Sequence, residues 1–213
     1  MSSDLTRYKE EQRQLWSRAA ETWRRWHEPL SQMSRDATEA IVNATELGEG
    51  MKVLDLAGGT GEPALTVAGL VGGSGSVVAS DFVPEMVATL EENVRQRGLT
   101  NVTCQQVDAE AIPFPDASFD RVSAIVSFHH TDDPGRALDE IRRVLAPGGR
   151  VVLHEMYPGR HAGLLHRVLG RWFHGSAPHF VEPGHLARSL EDHGFRNVVV
   201  RDGTNGYTVA GSR

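Results

Sequence analysis

The residues able to do chemistry in this chain recur just after stretches that read as buried strands. Asp55 ends the first such stretch and leads into a turn holding Ala57, Gly58, Gly59, Thr60 and Gly61. Asp81-Phe82 and Asp108-Ala109 follow the next two apolar runs; Ser127-Phe128-His129-His130 and His154-Glu155 follow the two after those. Glycines without a Cβ let a ligand approach bare backbone. An acid after the second strand can accept both hydroxyl hydrogens of a ribose, and Phe82 beside it offers a flat face to an adenine. Asp108 can accept a hydrogen bond from an exocyclic amine. His129 and His130 are the candidate catalytic residues, because imidazole titrates near neutral pH and can take a proton from a hydroxyl, an amine or an acidic carbon. Glu155 is a second candidate on the acceptor side.

Charge narrows the ligand. Gly59, Gly61 and Ala64 satisfy the loose dinucleotide fingerprint G-x-G-x-x-G/A. A pyrophosphate there would face Asp55 and Glu62, and like charges about 4 Å apart cost roughly 4 kcal/mol at an effective dielectric near 20. A ligand carrying an ammonium and a sulfonium suits the same turn. Three functions stay open on these residues: an enzyme using such a cationic nucleoside, a regulatory protein that binds it without turnover, and a nucleotide-dependent dehydrogenase, which Asp55 and Glu62 disfavour.

The elements that must position these groups follow from the pattern of apolar residues. From residue 51 the chain repeats strand, turn, helix, strand, the alternation of a parallel sheet covered on both faces. Strands are expected at 51–56, 76–81, 101–107, 119–127 and 150–155, with two more at 196–202 and 206–211. Helices are expected at 62–70, from Pro84 to Arg97, at 134–145 and up to His193, with Ala146-Pro147-Gly148-Gly149 turning the chain into the fifth strand. The fold class is therefore α/β, doubly wound and Rossmann-like. In such sheets ligands bind at the carboxyl ends of the strands, so the residues named above should share one crevice.

Two segments flank this core. Residues 5–27 carry Leu15, Trp16, Ala19, Ala20, Trp23 and Trp26 at three- and four-residue spacing, as on an amphipathic helix. A second helix runs from Ser34 to about Leu47. Residues 1–47 are expected to form a helical lid presenting Tyr8, Trp16 and Trp23 to a substrate, with core packing as the alternative use of the tryptophans. Residues 156–185, with a helix expected at 161–173, carry Arg160, Arg167 and Arg171 among five histidines and form an acceptor-side insertion, where Arg160 could orient a carboxylate or phosphate. Residues 48–155 are the cofactor-binding core and 186–213 the final helix and strands of what is expected to be one domain.

At 213 residues the chain suffices for one substantial core. Its 28 acidic against 22 basic residues argue against a general affinity for nucleic acid or an anionic membrane. Cys104 is the only cysteine, which excludes an internal disulfide and fits a reducing compartment. No apolar run reaches membrane-spanning length and no signal core opens the chain, so a cytoplasmic protein is expected. The histidines lack the i, i+4 pairing of a metal-binding helix, and no metal is expected.

Four runs, taken in order, carry a resemblance: Val53 to Pro63, Ser80 to Met86, Asp108 to Pro115 with Ser118-Phe119-Asp120, and Glu140 to Gly149. Together they resemble the successive motifs of class I S-adenosylmethionine-dependent methyltransferases, in the branch of the ubiquinone/menaquinone C-methyltransferases, over about residues 45–155. The resemblance implies a seven-stranded sheet with the last strand antiparallel. It implies Asp55 and the turn from Ala57 to Gly61 around the methionine moiety of S-adenosylmethionine, Asp81 on the ribose, and Asp108 with Ala109 at the adenine. Phe82, Met86 and Ser127 complete the expected cofactor-binding set. A small-molecule methyl acceptor, planar or anionic, is implied, with the protein a monomer or homodimer. Two positions depart from the pattern: Ala57 stands where the family places a glycine, and His129-His130 stands where the quinone enzymes carry Arg-Asn.

Overall fold

The computed structural model describes residues 2–26, 34–156, 181–203 and 206–213. Its elements in order are α1 (Ser2–Arg25), α2 (Arg35–Thr45), β1 (Lys52–Leu56), α3 (Ala64–Val71), β2 (Ser76–Asp81), α4 (Pro84–Gln96), β3 (Val102–Gln106), β4 (Phe119–Ile125), α5 (Pro134–Val144), β5 (Leu145–Met156), α6 (Pro183–Asp192), β6 (Arg196–Asp202) and β7 (Gly206–Ser212). The expected helix at 161–173, together with Arg160, Arg167 and Arg171, lies outside the described residues.

All seven strands form one sheet in the order β3-β2-β1-β4-β5-β7-β6. β7 runs antiparallel to both β5 and β6, while β1 to β5 pair in parallel. Alternation along the central strands assigns each face its own core. Leu54, Leu56, Val122, Ala124, Val151 and Leu153 pack with α5 and α6 residues such as Leu138 and Leu190. Val53, Val77 and Ala79 pack on the opposite face with Leu65 of α3 and Leu90 of α4, and Val152 there meets Ile41 of α2. The sheet is doubly wound, and its order reverses between β1 and β4, the switch point at which such folds open a crevice.

Two strand boundaries differ from the expectation by two residues or more, each for a local reason. β5 begins at Leu145 rather than at Arg150, since the fully buried Leu145 already pairs with Phe119 and a register shift between Phe119 and Arg121 absorbs the Pro-Gly-Gly segment. β4 stops at Ile125 because Val126 has φ +47°, a left-handed conformation that no strand can continue and that a β-branched residue rarely adopts. A 3-10 turn at Phe128–His130 follows.

Ala57 meets the same conformational demand at the end of β1, with φ +53°. The turn forms despite the Cβ, which in the left-handed region costs about 1–2 kcal/mol. Ala57→Gly removes that strain and reintroduces about 0.5–1 kcal/mol of unfolded-chain entropy. We expect a net gain of about 0.5–1 kcal/mol, read as a melting temperature roughly 2 °C higher; a lower melting temperature would show that the Cβ is relaxed in its place.

Candidate active site at the carboxyl ends of the strands

The turn after β1 is built by close contacts that leave no room for side chains. Gly58 N–H donates to Ser80 O at 2.8 Å, and Gly61 N–H to Gly58 O at 2.8 Å. A Cβ on Gly58 would lie 2.5 Å from Asp55 Oδ2, and one on Gly61 2.4 Å from Leu65 Cδ1. Gly59, at φ +54°, has nothing within 4 Å of its Cβ position, so the turn is open there. Asn93 Nδ2–H donates to Thr60 O at 2.7 Å, tying the turn to α4.

Asp55 lies beneath this turn with no solvent exposure. Its Oδ1 accepts from Ser123 Oγ–H at 2.7 Å, across the β1/β4 switch point. Its Oδ2 is buried without a hydrogen-bond partner. Burial pushes the carboxyl up to about 8, opposed by the Ser123 hydrogen bond and more weakly by the nearby Ala64 N–H, and reinforced by Glu62 and Asp81. A buried oxygen lacking a donor costs about 1–3 kcal/mol, which a ligand bringing one can recover. Glu62, expected to face the ligand, instead accepts from Arg97 at 3.1 Å and from Thr66 at 2.7 Å, so it acts on the site at longer range.

Asp81 terminates β2 and holds two chain segments. Its Oδ2 accepts from Gly59 N–H at 3.0 Å and its Oδ1 from Val83 N–H at 2.9 Å. Burial raises its pKa to about 6 against these backbone hydrogen bonds. Each oxygen keeps a second lone pair for a ligand. Phe82 and the buried Met86 pack with Trp16, Ala20, Trp23 and Val83 where α1 crosses α4. Asp108 follows β3; its Oδ1 accepts from Glu110 N–H at 3.0 Å, and its Oδ2 lies 2.6 Å from Lys9 Nζ of α1. Ala109 packs against the larger of the two main cores.

On the β4 side, Glu155 is buried and its Oε1 accepts from Ser127 N–H at 3.2 Å and Phe128 N–H at 2.8 Å. That carboxylate shapes the turn carrying His130. His130 Nδ1 stands 3.1 Å from Gln12 Oε1, and its ring meets Trp16 edge-on at 5.2 Å. With Gln12 Oε1 as acceptor, Nδ1 carries the hydrogen and Nε2 the basic lone pair. The side chains of His129 and Tyr8 lie outside the described residues. Trp23 stacks edge-on with Trp16 at 6.1 Å, nearer the α4 end of α1.

The structure therefore brings Asp55, the glycine turn, Asp81, Phe82 and Asp108 to one edge, with His130 and Trp16 beside them. Lys9, Gln12 and Ser123 are participants that the sequence reading did not single out. Lys9, Gln12 and Trp16 fall at helical spacing on one face of α1, a signal that the apolar stripe alone leaves unread. A groove of about 520 Å³ between α1 and α4, lined by Ser17, Arg24, Glu85 and Glu92 among others, contains none of the strand-end residues. Among the described residues no group of His, Cys, Asp and Glu side chains is placed to hold a metal ion, and no helix is long and apolar enough to cross a membrane.

Known proteins resemble the chain in sequence and fold. Residues 54–153 match the methyltransferase domain family. Over 113 residues the chain is 41% identical to a ubiquinone/menaquinone biosynthesis C-methyltransferase of Shewanella oneidensis, covering 53% of this chain and 45% of that protein. The chain thus spans under half the length of the curated relatives it matches. A SAM dependent methyltransferase from Aquifex aeolicus superposes with a TM-score of 0.72 at 28% identity, over 85% of this chain and 92% of that one. A phosphoethanolamine N-methyltransferase of Haemonchus contortus, solved with S-adenosyl-L-methionine, has a TM-score of 0.69 at 17% identity, over 83% of this chain and 52% of that one, and shares the fold. With its ordered strand-end acids and its glycine turn, the chain matches the methyltransferase domain family over residues 54–153 and is similar to S-adenosylmethionine-dependent methyltransferases in sequence and fold.

Proposed function

We propose that the protein transfers a methyl group from S-adenosylmethionine to a small planar or partly apolar acceptor. The observation that carries this reading is the unpartnered, fully buried Asp55 Oδ2 under an open glycine turn, one strand away from Asp81. Asp81, mostly ionised at pH 7, opposes a pyrophosphate, and Asp55 can ionise to meet a cationic nucleoside. Asp55 and the turn would hold the amino-acid end of the cofactor, Asp81 its ribose, and Phe82 with Asp108 its adenine. S-adenosylmethionine brings a methyl already activated by its sulfonium, so the protein's tasks are alignment, exclusion of water and removal of a proton from the acceptor. His130 is the proposed base for that last task, its Nδ1 facing Gln12 and its ring edge-on to Trp16. His129-His130 departs from the pair that the resemblance implies for quinone enzymes, so a distinct acceptor is proposed. α1 serves as the lid over the strand ends. The decisive experiment incubates the protein with methyl-labelled S-adenosylmethionine and a fractionated small-molecule extract, and identifies the labelled product by mass spectrometry. A protein that binds the nucleoside yet labels nothing under any acceptor supplied would favour the regulatory reading.

A proton-linked signature follows from Asp55. At pH 7 the free protein keeps this carboxyl mostly protonated, since its pKa is about 8. A ligand ammonium or sulfonium favours the ionised form, so binding expels a proton. Calorimetry at pH 7 in buffers of different ionisation enthalpy should show net proton release, with affinity rising from about pH 6 and levelling above about pH 8. Heats independent of buffer would separate the cation from Asp55. The free protein should show the converse trend. Asp55 and Asp81 have folded pKa values of about 8 and about 6, above the unfolded value of about 3.9. The folded state binds more protons in that window, so their contribution to stability is present below pH 4 and is lost as pH rises to about 8.

A further inference from the structure

The position of Lys9 bears directly on how the nucleoside enters. Its Nζ lies 2.6 Å from Asp108 Oδ2 and 2.9 Å from Glu110 Oε2, and 5.7 Å from the centroid of the Phe82 ring. These are the groups that the proposed function assigns to the adenine: the carboxylate that receives its amine and the ring that receives its face. A base packed flat on Phe82 needs about 3.5 Å on each side, hence roughly 7 Å between that ring and whatever covers the base. The observed 5.7 Å is too short by more than the give of a packed contact. Lys9 and a stacked adenine therefore exclude one another.

Glu110 ties this contact to the acceptor side. Its Oε1 accepts from Asp132 N–H at 2.9 Å and from Asp133 N–H at 3.3 Å, in the segment between the His130 turn and α5. Its backbone O accepts from Arg136 Nε–H at 2.8 Å. The same face of α1 supplies Gln12 to His130, and one turn further on Trp16 rests on that histidine. Removing Lys9 from Asp108 therefore disturbs the helix that also contacts His130, while Glu110 stays anchored through its other oxygen.

We propose that Lys9 is an internal occupant of the nucleoside subsite, so that ligand affinity is set by competition with this side chain and ligand entry lifts the first turns of α1. This rests on the proposed function, because it takes Phe82 and Asp108 as the adenine subsite. The Lys9 side chain keeps 27% of its exposure and that of Asp108 31%, so the competing contact is a half-exposed ion pair and its effect is correspondingly modest.

The test is calorimetric binding of S-adenosylhomocysteine and of adenosine to the full chain and to Lys9→Met and Lys9→Arg, each checked for folding by circular dichroism. Lys9→Met should bind both ligands about 3- to 10-fold more tightly, as removal of a competing contact of this kind predicts. Lys9→Arg, which keeps the cation, should remain within about twofold of the unmodified chain. Adenosine must share the gain, since the competition is at the base. In the unmodified chain, amide exchange over the first turns of α1 should accelerate when S-adenosylhomocysteine binds; in Lys9→Met it should already be fast without ligand. Equal or weaker affinity of Lys9→Met overturns the competition while leaving the cofactor assignment intact. A gain for S-adenosylhomocysteine that adenosine does not share overturns the placement at the adenine. An unmodified chain that binds neither ligand removes the functional reading and this inference with it.

Discussion

Asp81→Ala is expected to weaken binding of S-adenosylmethionine and of its demethylated product by at least 100-fold. The carboxylate would accept two ribose hydroxyl hydrogens, and hydrogen bonds to a charged group contribute about 1.5–3 kcal/mol each. Two of them correspond to a factor of about 100 or more. The geometry adds a second route to the same loss, because Asp81 also accepts from Gly59 N–H and Val83 N–H, so alanine loosens the turn that receives the methionine moiety. Asp81→Asn is the milder variant. It keeps one acceptor oxygen but lacks the charge and sets its NH2 against either Gly59 N–H or Val83 N–H, so it should lose one backbone hydrogen bond and at least about tenfold in affinity. Calorimetry on the folded variants decides; an Asp81→Ala protein with unchanged affinity would mean that the ribose binds elsewhere.

His130→Ala should lower the turnover rate by about 100- to 10,000-fold, the range for loss of a general base, with cofactor affinity within a few-fold of the unmodified protein. The discriminating variant is Gln12→Ala. If His130 works as the base, removing Gln12 frees the choice of tautomer and slows turnover partially, shifting the pH profile of kcat. If His130 only braces Trp16, Gln12→Ala leaves that profile alone. Full turnover in His130→Ala would show that the acceptor arrives already nucleophilic.

Much of this architecture is legible in the chain because each element satisfies several local rules at once. β1, β2 and β4 are apolar runs bounded by turn residues, and Pro84 and Pro134 open the helices α4 and α5 at their first turns. The acids of the site are legible because three of them follow three successive strands of a doubly wound sheet, at the edge where ligands of such sheets bind. What local pattern does not carry is side-chain partnership. Glu62 reads as a ligand-facing acid until α4 brings Arg97 to it. Glu155 reads as an acceptor-side group, and nothing in the local pattern shows that its Oε1 also receives the amides of the turn after β4. Lys9 reads as one polar residue of an amphipathic helix, since nothing in α1 reports that its partners lie 99 and 101 positions away in Asp108 and Glu110. The early start of β5 escapes because Pro147-Gly148-Gly149 has turn chemistry, and only pairing with β4 shows that a bulge accommodates it.

The hydrogen bond from Ser123 to Asp55 spans 68 positions of sequence, and this has a kinetic meaning. A pocket whose floor joins β1 to β4 closes a loop that holds α3, β2, α4 and β3, which is entropically unfavourable until other contacts reward it. We expect the cradle for the cofactor to form late in folding, after the rate-limiting step. A ligand seated there should slow unfolding while hardly altering the refolding rate, because it stabilises contacts that the transition state has yet to make. Loaded with its cofactor, such a protein gains persistence under heat or protease without gaining any speed in reaching its native state.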